Sequence, residues 1–330
     1  MAHKHPKSKP TPPPVPTVPS GALRRVGVEV EFANVTVLQA AKLVQQEFGG
    51  TYTPDSEHRV AVEGTRFGNF TVELDAQIVH KTLGLDPENS DLQEIESRAR
   101  DILGHALAVV VPAEIVSPPI PWYELDQLTP LIDALRDNDA EGTEAAPVYG
   151  FGLHLNPEVA EETADFALRH LQAYAILEDW LREAIQIDPT RKLFPHIDPF
   201  PDDYKARILD PNYAPTLKSL IRDYVRDNPT RNRGLDMMPL FRHLDAETLL
   251  ADLQDASLIK ARPTFHYRLP NASLADTSWN AVVEWNRWVK VEELAANATL
   301  LGERKAAYHD WLQKPRVERW LETIKTWFAT

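Results

Sequence analysis

The chain has 330 residues, of which 43% are hydrophobic and 25% charged, with a formal net charge of −14 and no cysteine. That composition is that of a soluble globular protein with enough chain for a sizeable core. The acidic balance argues against nucleic acid or an anionic membrane as the main partner, and the lack of thiols excludes disulfides, thiolate nucleophiles and zinc–thiolate sites.

Residues 1–20 are rich in proline and carry His3, Lys4, His5 and Lys7. They have no apolar h-region, so they do not read as a secretory signal, and a disordered or polyproline II leader is expected. Residues 21–330 then read as one domain, with a helical, tryptophan-rich part from about 277 onward. No later window reaches the roughly 18–20 apolar residues of a membrane-spanning helix, and a cytoplasmic location is expected.

In chain order, the first strand is expected at about 24–32. Val26, Val28, Val30 and Phe32 alternate with Glu29 and Glu31, so one face is apolar and the other carries two acids. Val35–Phe48 has helical spacing and is closed by Gly49-Gly50. Residues 58–63 and 69–75 read as a hairpin turning at Gly64–Gly68, and its second strand puts Glu73 and Asp75 on one face. A helix near 89–105 precedes the apolar run Ala106–Val111, which leads into Glu114-Ile115-Val116 and stops at Ser117-Pro118-Pro119.

A short helix follows at 123–136. Tyr149–Asn156 is the next strand, with His154 and Asn156 on one face. Pro157-Glu158 is expected to open a long helix to about Ile187. Residues 188–214 are proline-rich, and Phe194, Phe200, Tyr204 and Tyr213 favour an ordered lid there. Helices are expected near 215–227 and 245–256, and a last strand at 259–269, with Arg262, Thr264, His266 and Arg268 on a shared face. The tryptophans after residue 277 read as core or interface. Scattered strands outside any βαβ pattern give α+β with a mainly antiparallel sheet.

Two acids on one strand face repel unless a cation lies between them, so Glu29 and Glu31 are either metal ligands or a solvated face. Glu114, at the end of an apolar run, is open to the same two readings. His154 and Asn156 lie beside Gly150 and Gly152, which leave room for a ligand. Arg262 and Arg268 suit phosphate oxygens or ion pairing with the sheet's acids. Arg231 and Arg233 form another cationic cluster, for an anionic substrate or for Asp223, Asp227 and Asp236. No P-loop, Gly-x-Gly-x-x-Gly, Gly-x-Ser-x-Gly or His-Glu-x-x-His motif is present.

Taken in order, Gly27-Val28-Glu29-Val30-Glu31-Phe32, Glu114 to Pro119, Gly152-Leu153-His154-Leu155-Asn156 and Arg262…His266-Tyr267-Arg268 resemble the amidoligases of the carboxylate–amine ligase superfamily, relatives of glutamine synthetase and glutamate–cysteine ligase. The matching pieces span roughly residues 25–270. The resemblance implies a curved, mainly antiparallel sheet with a polar concave face, packed by helices, and a site for ATP with Mg²⁺ or Mn²⁺. It implies amide or isopeptide bond formation through an acyl phosphate. Carried over, Glu29, Glu31, Glu114, His154 and His266 would be metal ligands. Arg268, Arg262 and His154 would be catalytic, and Arg262, Arg268, Asn156, Arg231 and Arg233 would meet the nucleotide. The family's final Glu-x-Arg reads His266-Tyr267-Arg268 here. Imidazole suits Mn²⁺ or Zn²⁺ better than Mg²⁺.

The expected function is an ATP-dependent ligase acting on small-molecule or peptide carboxylates and amines, and relatives of this kind often assemble as homo-oligomers. The alternatives are a metal-dependent hydrolase or phosphotransferase, and a relative that binds without catalysis.

Overall fold

The computed structural model describes residues 8–56, 58–74, 112–143, 151–187, 197–251, 253 and 259–312. Asp75, the expected helix near 89–105, the run Ala106–Val111, Phe194, Trp320 and Trp327 lie outside the described residues.

The first strand, β1 (Arg25–Phe32), forms where the apolar alternation predicts it. Helix α1 (Val37–Phe48) starts at Thr36, whose hydroxyl accepts from Gln39 N at 3.3 Å while Gln39 Oε1 accepts from Thr36 N at 2.9 Å. This reciprocal cap satisfies two otherwise orphaned backbone donors. Gly49, at φ 79°, ends the helix in a region that disfavours side chains. Strands β2 (Thr51–Ser56), β3 (Arg59–Thr65), β4 (Gly68–Leu74), β5 (Ala113–Val116) and β6 (Ile120–Pro121) follow. The expected helix at 123–136 is a 3₁₀ turn, Trp122–Leu128, running into α2 (Thr129–Asp137).

Strand β7 (Leu153–Pro157) precedes α3 (Ala164–Ile185). That helix starts later than Pro157-Glu158 suggests, because Thr163 caps it by accepting from Phe166 N at 3.2 Å. The rest is α4 (Asp202–Ile208), α5 (Leu217–Asp227), β8 (Leu235–Asp236), α6 (Met238–Leu244), α7 (Ala246–Ala251), β9 (His266–Tyr267), α8 (Ala281–Ala296) and α9 (Ala298–Leu312). The strand expected at 259–269 is corrected to the two residues of β9 and an isolated bridge, Glu158↔Thr264. Pro263 and Pro270 lack the N–H that a longer ladder needs.

The strands form one sheet in the order β2-β3-β4-β5-β1-β7-β9-β8, with β6 paired to the start of β1. Every named strand pair is antiparallel. The sheet is open and uncurled, ending at the exposed β2 and the two-residue β8. The curved sheet expected from the resemblance is corrected accordingly, since β9 and β8, with two residues each, provide little ladder with which to wrap a cavity. No helix among the described residues is long and apolar enough to cross a membrane.

Register decides the faces. Val30 opposes Ile115 and Leu153, Val28 opposes Leu155, and Leu155 opposes Tyr267. All are buried on the apolar face. Helix α1 packs on β3 and β4, while α3 and α8 pack together. Trp288 of α8 lies 5.2 Å, centroid to centroid, from Tyr267, and Tyr174 of α3 lies 6.2 Å from the same ring. Trp279, Trp285 and Trp288 are therefore core residues.

Two buried ion pairs lock helices to this frame. Arg24, just before β1, makes a two-pronged contact with Glu292 of α8 at 2.7 Å for each prong, and Trp288 Nε1 donates to the same carboxylate at 2.7 Å. Glu178 of α3 is fully buried and holds Lys205 of α4 at 2.6 Å and Arg182 at 3.3 Å. Burial pushes the Glu178 carboxyl up, but the charges of Lys205 and Arg182 outweigh it and hold it below its ordinary range.

That second pair seats the proline-rich segment 197–214, where Phe200 and Tyr204 are buried in the core. Residues 8–20 also have fixed partners, whereas composition alone predicts a solvated leader. Thr11 N donates to Asn286 Oδ1 at 2.7 Å, and Trp285 Nε1 donates to Thr11 O at 2.9 Å. The side chains of α8 meet the backbone groups that polyproline II leaves unbonded.

Removing Glu292 leaves the Arg24 charge buried and unpaired, so Glu292→Ala should lower unfolding free energy by about 3–5 kcal/mol. Glu293→Ala, in the exposed pair with Lys290, should change it by under about 1 kcal/mol. Chemical denaturation of both variants checks the contrast.

His170 of α3 is buried between Phe166 and Phe265. Burial lowers its pKa from 6.5 to about 4, against the opposing charge of Glu292. The unfolded chain therefore binds a proton that the folded one refuses between those values, so stability is full above pH 6.5 and falls toward pH 4. The loss attributable to His170 is about 3 kcal/mol. Stability measured across that window should slope less steeply in His170→Phe than in the parent.

Candidate active site

The opposite sheet face collects the polar side chains that alternate with the core. Glu29 stands directly opposite His154, and Glu31 opposite Glu114. Asn156 opposes Gly27, and His266 opposes Asp236. A carboxylate row therefore continues across β5 and β1 into imidazoles and an amide on β7 and β9.

Glu29 and Glu31 are 7% and 2% exposed, so both carboxylates have left bulk water. Glu29 Oε2 lies 3.1 Å from His154 Nδ1. Its Oε1 accepts from Asn156 Nδ2 at 2.9 Å and from Arg262 Nη1 at 3.1 Å. Burial pushes the Glu29 pKa up, but the hydrogen bond with His154 and the positive potential of His266, His154 and Arg262 hold it well below the ordinary range. Glu31 Oε2 accepts from Gly152 N at 2.7 Å, and its Oε1 lies 3.5 Å from His154 Nε2.

The His154 and His266 rings stand 5.4 Å apart, nearly edge to face. His266 Nε2 lies 3.9 Å from Glu29 Oε2, and its Nδ1 lies 3.9 Å from Asp236 Oδ2. Burial lowers the His266 pKa well below its ordinary value, against the charge of Glu29. His266 Nε2 and Asn156 Oδ1 are buried and make no hydrogen bond among the described residues. Buried polar atoms without partners mark a place that a ligand completes.

Glu29, His154 and His266 bring ligand atoms within 4.8 Å of one another, and so do Glu31, Glu114 and His154. Carboxylate oxygens with one or two imidazoles suit Mn²⁺ or Zn²⁺, and the oxygens alone suit Mg²⁺. The residues present therefore fit a divalent ion.

Not every expected residue joins this cluster. Arg262 does, through Glu29. Arg231 Nε donates to Asp236 Oδ2 at 3.0 Å, and Arg268 Nη1 donates to Arg231 O at 2.7 Å, so both border the row behind His266. Arg233 is bound instead to Asn228 Oδ1 at 2.9 Å and Pro199 O at 2.6 Å, and it fastens the 228–234 loop to the proline-rich segment. Glu73 pairs with Arg59 at 3.3 Å on the outer strands, although it faces Glu114 in register. Asp236, which sequence reasoning treats only as a partner for arginine, is fully buried against His266. A two-residue strand offers no alternation by which to find it.

A family model described as "Putative amidoligase enzyme" matches residues 22–290. The chain belongs to the amidoligase family. The matched span contains every residue of the polar row, and the family makes this amidoligase a ligase-type enzyme. No curated protein and no solved structure matches the chain.

The loop carrying Arg231 and Asp236 depends on Gly234, whose added Cβ would lie 2.2 Å from the buried Tyr174 hydroxyl. Gly234→Ala should therefore destabilise the amidoligase by about 1–3 kcal/mol. That hydroxyl makes no hydrogen bond among the described residues, so Tyr174→Phe should cost little alone and recover part of the loss in the double variant. A double-mutant cycle by denaturation checks this.

Proposed function

We propose that this amidoligase is an ATP-dependent carboxylate–amine ligase that forms an amide or isopeptide bond through an acyl phosphate. The observation that carries the reading is the pair of buried carboxylates, Glu29 and Glu31, brought within ligand reach of Glu114, His154 and His266 and next to a guanidinium, Arg262. On this reading the open antiparallel sheet is a glutamine synthetase-like scaffold, the substrates are a small-molecule or peptide carboxylate and an amine, and the nucleotide's ion is Mg²⁺ or Mn²⁺.

The chemistry asks little covalent help of the protein. The substrate carboxylate attacks the γ-phosphorus, the bond to the β-phosphate oxygen breaks, and ADP leaves. The amine lone pair then attacks the acyl carbon, the C–O bond to phosphate breaks, and the amine's surplus proton goes to water. A divalent ion bound at the cluster supplies charge neutralisation for the phosphoryl oxygens. Glu29, Glu31, Glu114, His154 and His266 hold the cationic end, and Asn156 fixes the Glu29 carboxylate. The Arg262 side chain is 39% exposed at the rim, where a guanidinium can meet a phosphate or carboxylate that enters. Arg268 and Arg231, linked by a backbone hydrogen bond, add positive potential behind the row. That potential favours the transferring group.

ADP release from ATP with Mn²⁺ or Mg²⁺ tests the assignment. It should require both a carboxylate and an amine from pooled amino acids or dipeptides. Glu31→Gln keeps the side-chain volume and removes the charge, so it should lower the rate by about 10²-fold or more. Cleavage without ATP would point to a hydrolase, and wild-type turnover by Glu31→Gln would remove the carboxylate cluster from the mechanism.

A further inference from the structure

Lys9-Pro10-Thr11-Pro12-Pro13 lies against α8 as a ligand lies in a groove. Proline fixes φ at about −65°, and a residue before proline is held extended, so this run is polyproline II with about three residues per turn. Pro10 and Pro13 are thus one turn apart. Pro13 is buried and Pro10 half-buried, while Pro12, Pro14 and Pro16 are exposed. The hydrogen bonds from α8 go to the main chain of the run. Asn286 spans Pro10, accepting from Thr11 N at 2.7 Å and donating to Lys9 O at 3.2 Å. Trp285 Nε1 donates to Thr11 O at 2.9 Å.

An indole donor, a side-chain amide and a slot for one proline recognise main-chain groups and a ring, which any Pro-x-x-Pro peptide supplies. Polyproline II arrives already ordered, with its carbonyls unbonded, so little conformational entropy opposes its docking. Trp285 is seated in the core, so the floor of the groove is preformed. The run is also separable from the chain that follows it. The backbone bends at Pro14 and Val15, and beyond the bend it is anchored independently. Val15 O accepts from Arg24 Nη1 at 3.0 Å, Pro16 O accepts from Arg24 N at 3.0 Å, and Thr17 bridges Leu23. Residues 9–13 can therefore leave α8 while residues 15–24 stay in place. Their departure frees the Trp285 N–H and the Asn286 amide for another peptide.

We infer that the Trp285–Asn286 face of α8 is a binding site for a proline-rich peptide of another protein, and that residues 9–13 are its displaceable occupant in cis. The partner it fits presents a Pro-x-x-Pro run in polyproline II form. Tethering gives the chain's own run an effective concentration on the order of millimolar, so the site stays closed until a competing peptide is abundant or held nearby. None of these residues belongs to the polar face, so the inference stands apart from the ligase reading.

The probe is an unlabelled synthetic peptide with the sequence of residues 8–16, added to the ¹⁵N-labelled full chain. Millimolar peptide should move the chain's Thr11 amide signal to its unbonded position. The Trp285 indole signal should keep its bonded shift, because the peptide takes the vacated place. Pro13→Asp in the full chain puts a charge where a ring is buried and expels the run, so this variant should bind the peptide about 10-fold or more tightly than the parent does. Asn286→Ala added to Pro13→Asp removes both clasps on the main chain and should weaken that binding about 10-fold. A peptide carrying Pro10→Ala and Pro13→Ala should not compete. Circular dichroism confirms that the variants fold, and the Thr11 readout on the parent needs no variant. A folded Pro13→Asp that does not take the peptide, or a parent Thr11 signal that stays in place under peptide excess, would overturn the proposal and leave the run a permanent part of the fold. Binding untouched by Asn286→Ala would overturn its placement on α8. A dimeric parent with leaders exchanged between copies, seen by analytical ultracentrifugation, would overturn the occupancy in cis.

Discussion

Glu29 and Glu31 leave the same face of the central strand, and both are shielded from water. A buried carboxylate is costly unless donors or cations surround it. The neighbouring strands supply that compensation in register. His154 stands opposite Glu29, the backbone N–H of Gly152 reaches Glu31, Asn156 donates to Glu29, and Arg262 closes the far side. The position of the functional site follows from this requirement. Charges that could not be buried singly are brought together where the sheet is widest in partners.

The remainder of the molecule keeps those strands in place. Each strand of the polar row has an apolar reverse, and α1, α3 and α8 pack on or around it. The Arg24–Glu292 pair ties the start of β1 to α8, and the Glu178–Lys205 pair ties α3 to the proline-rich segment that holds Arg233. Distances of a few ångströms among ligand atoms need such rigid supports. A shift of one residue in the β1–β7 register, with β1 held in place, would turn His154 toward the core and away from Glu29.

Much of this was legible in the chain because a strand repeats every two residues. Val26, Val28, Val30 and Phe32 identified both a buried face and its opposite, and the same reading assigned His154 and Asn156. The residues that meet across strands were less legible. Glu31 facing Glu114, with more than eighty residues between them, is a matter of pairing, which periodicity does not encode. The resemblance brought these pieces into one order but not into contact. Arg231 and Arg233 looked equivalent in sequence, yet one borders the polar row and the other fastens a loop. Asp236 and β8 escaped because a two-residue strand contains no alternation. Residues 8–20 were read from composition, which carries no information on the indole and amide of Trp285 and Asn286 that hold them.

A cation-binding centre at the middle of the sheet underlies the proposed chemistry. Anomalous diffraction from crystals grown with Mn²⁺ and a non-hydrolysable ATP analogue reads its position directly. The expected map has a manganese peak on the polar face, among the side chains of Glu29, Glu31, Glu114, His154 and His266, with the analogue's phosphates on the side of Arg262. A fully occupied analogue bound elsewhere, with no manganese density on that face, would contradict the account.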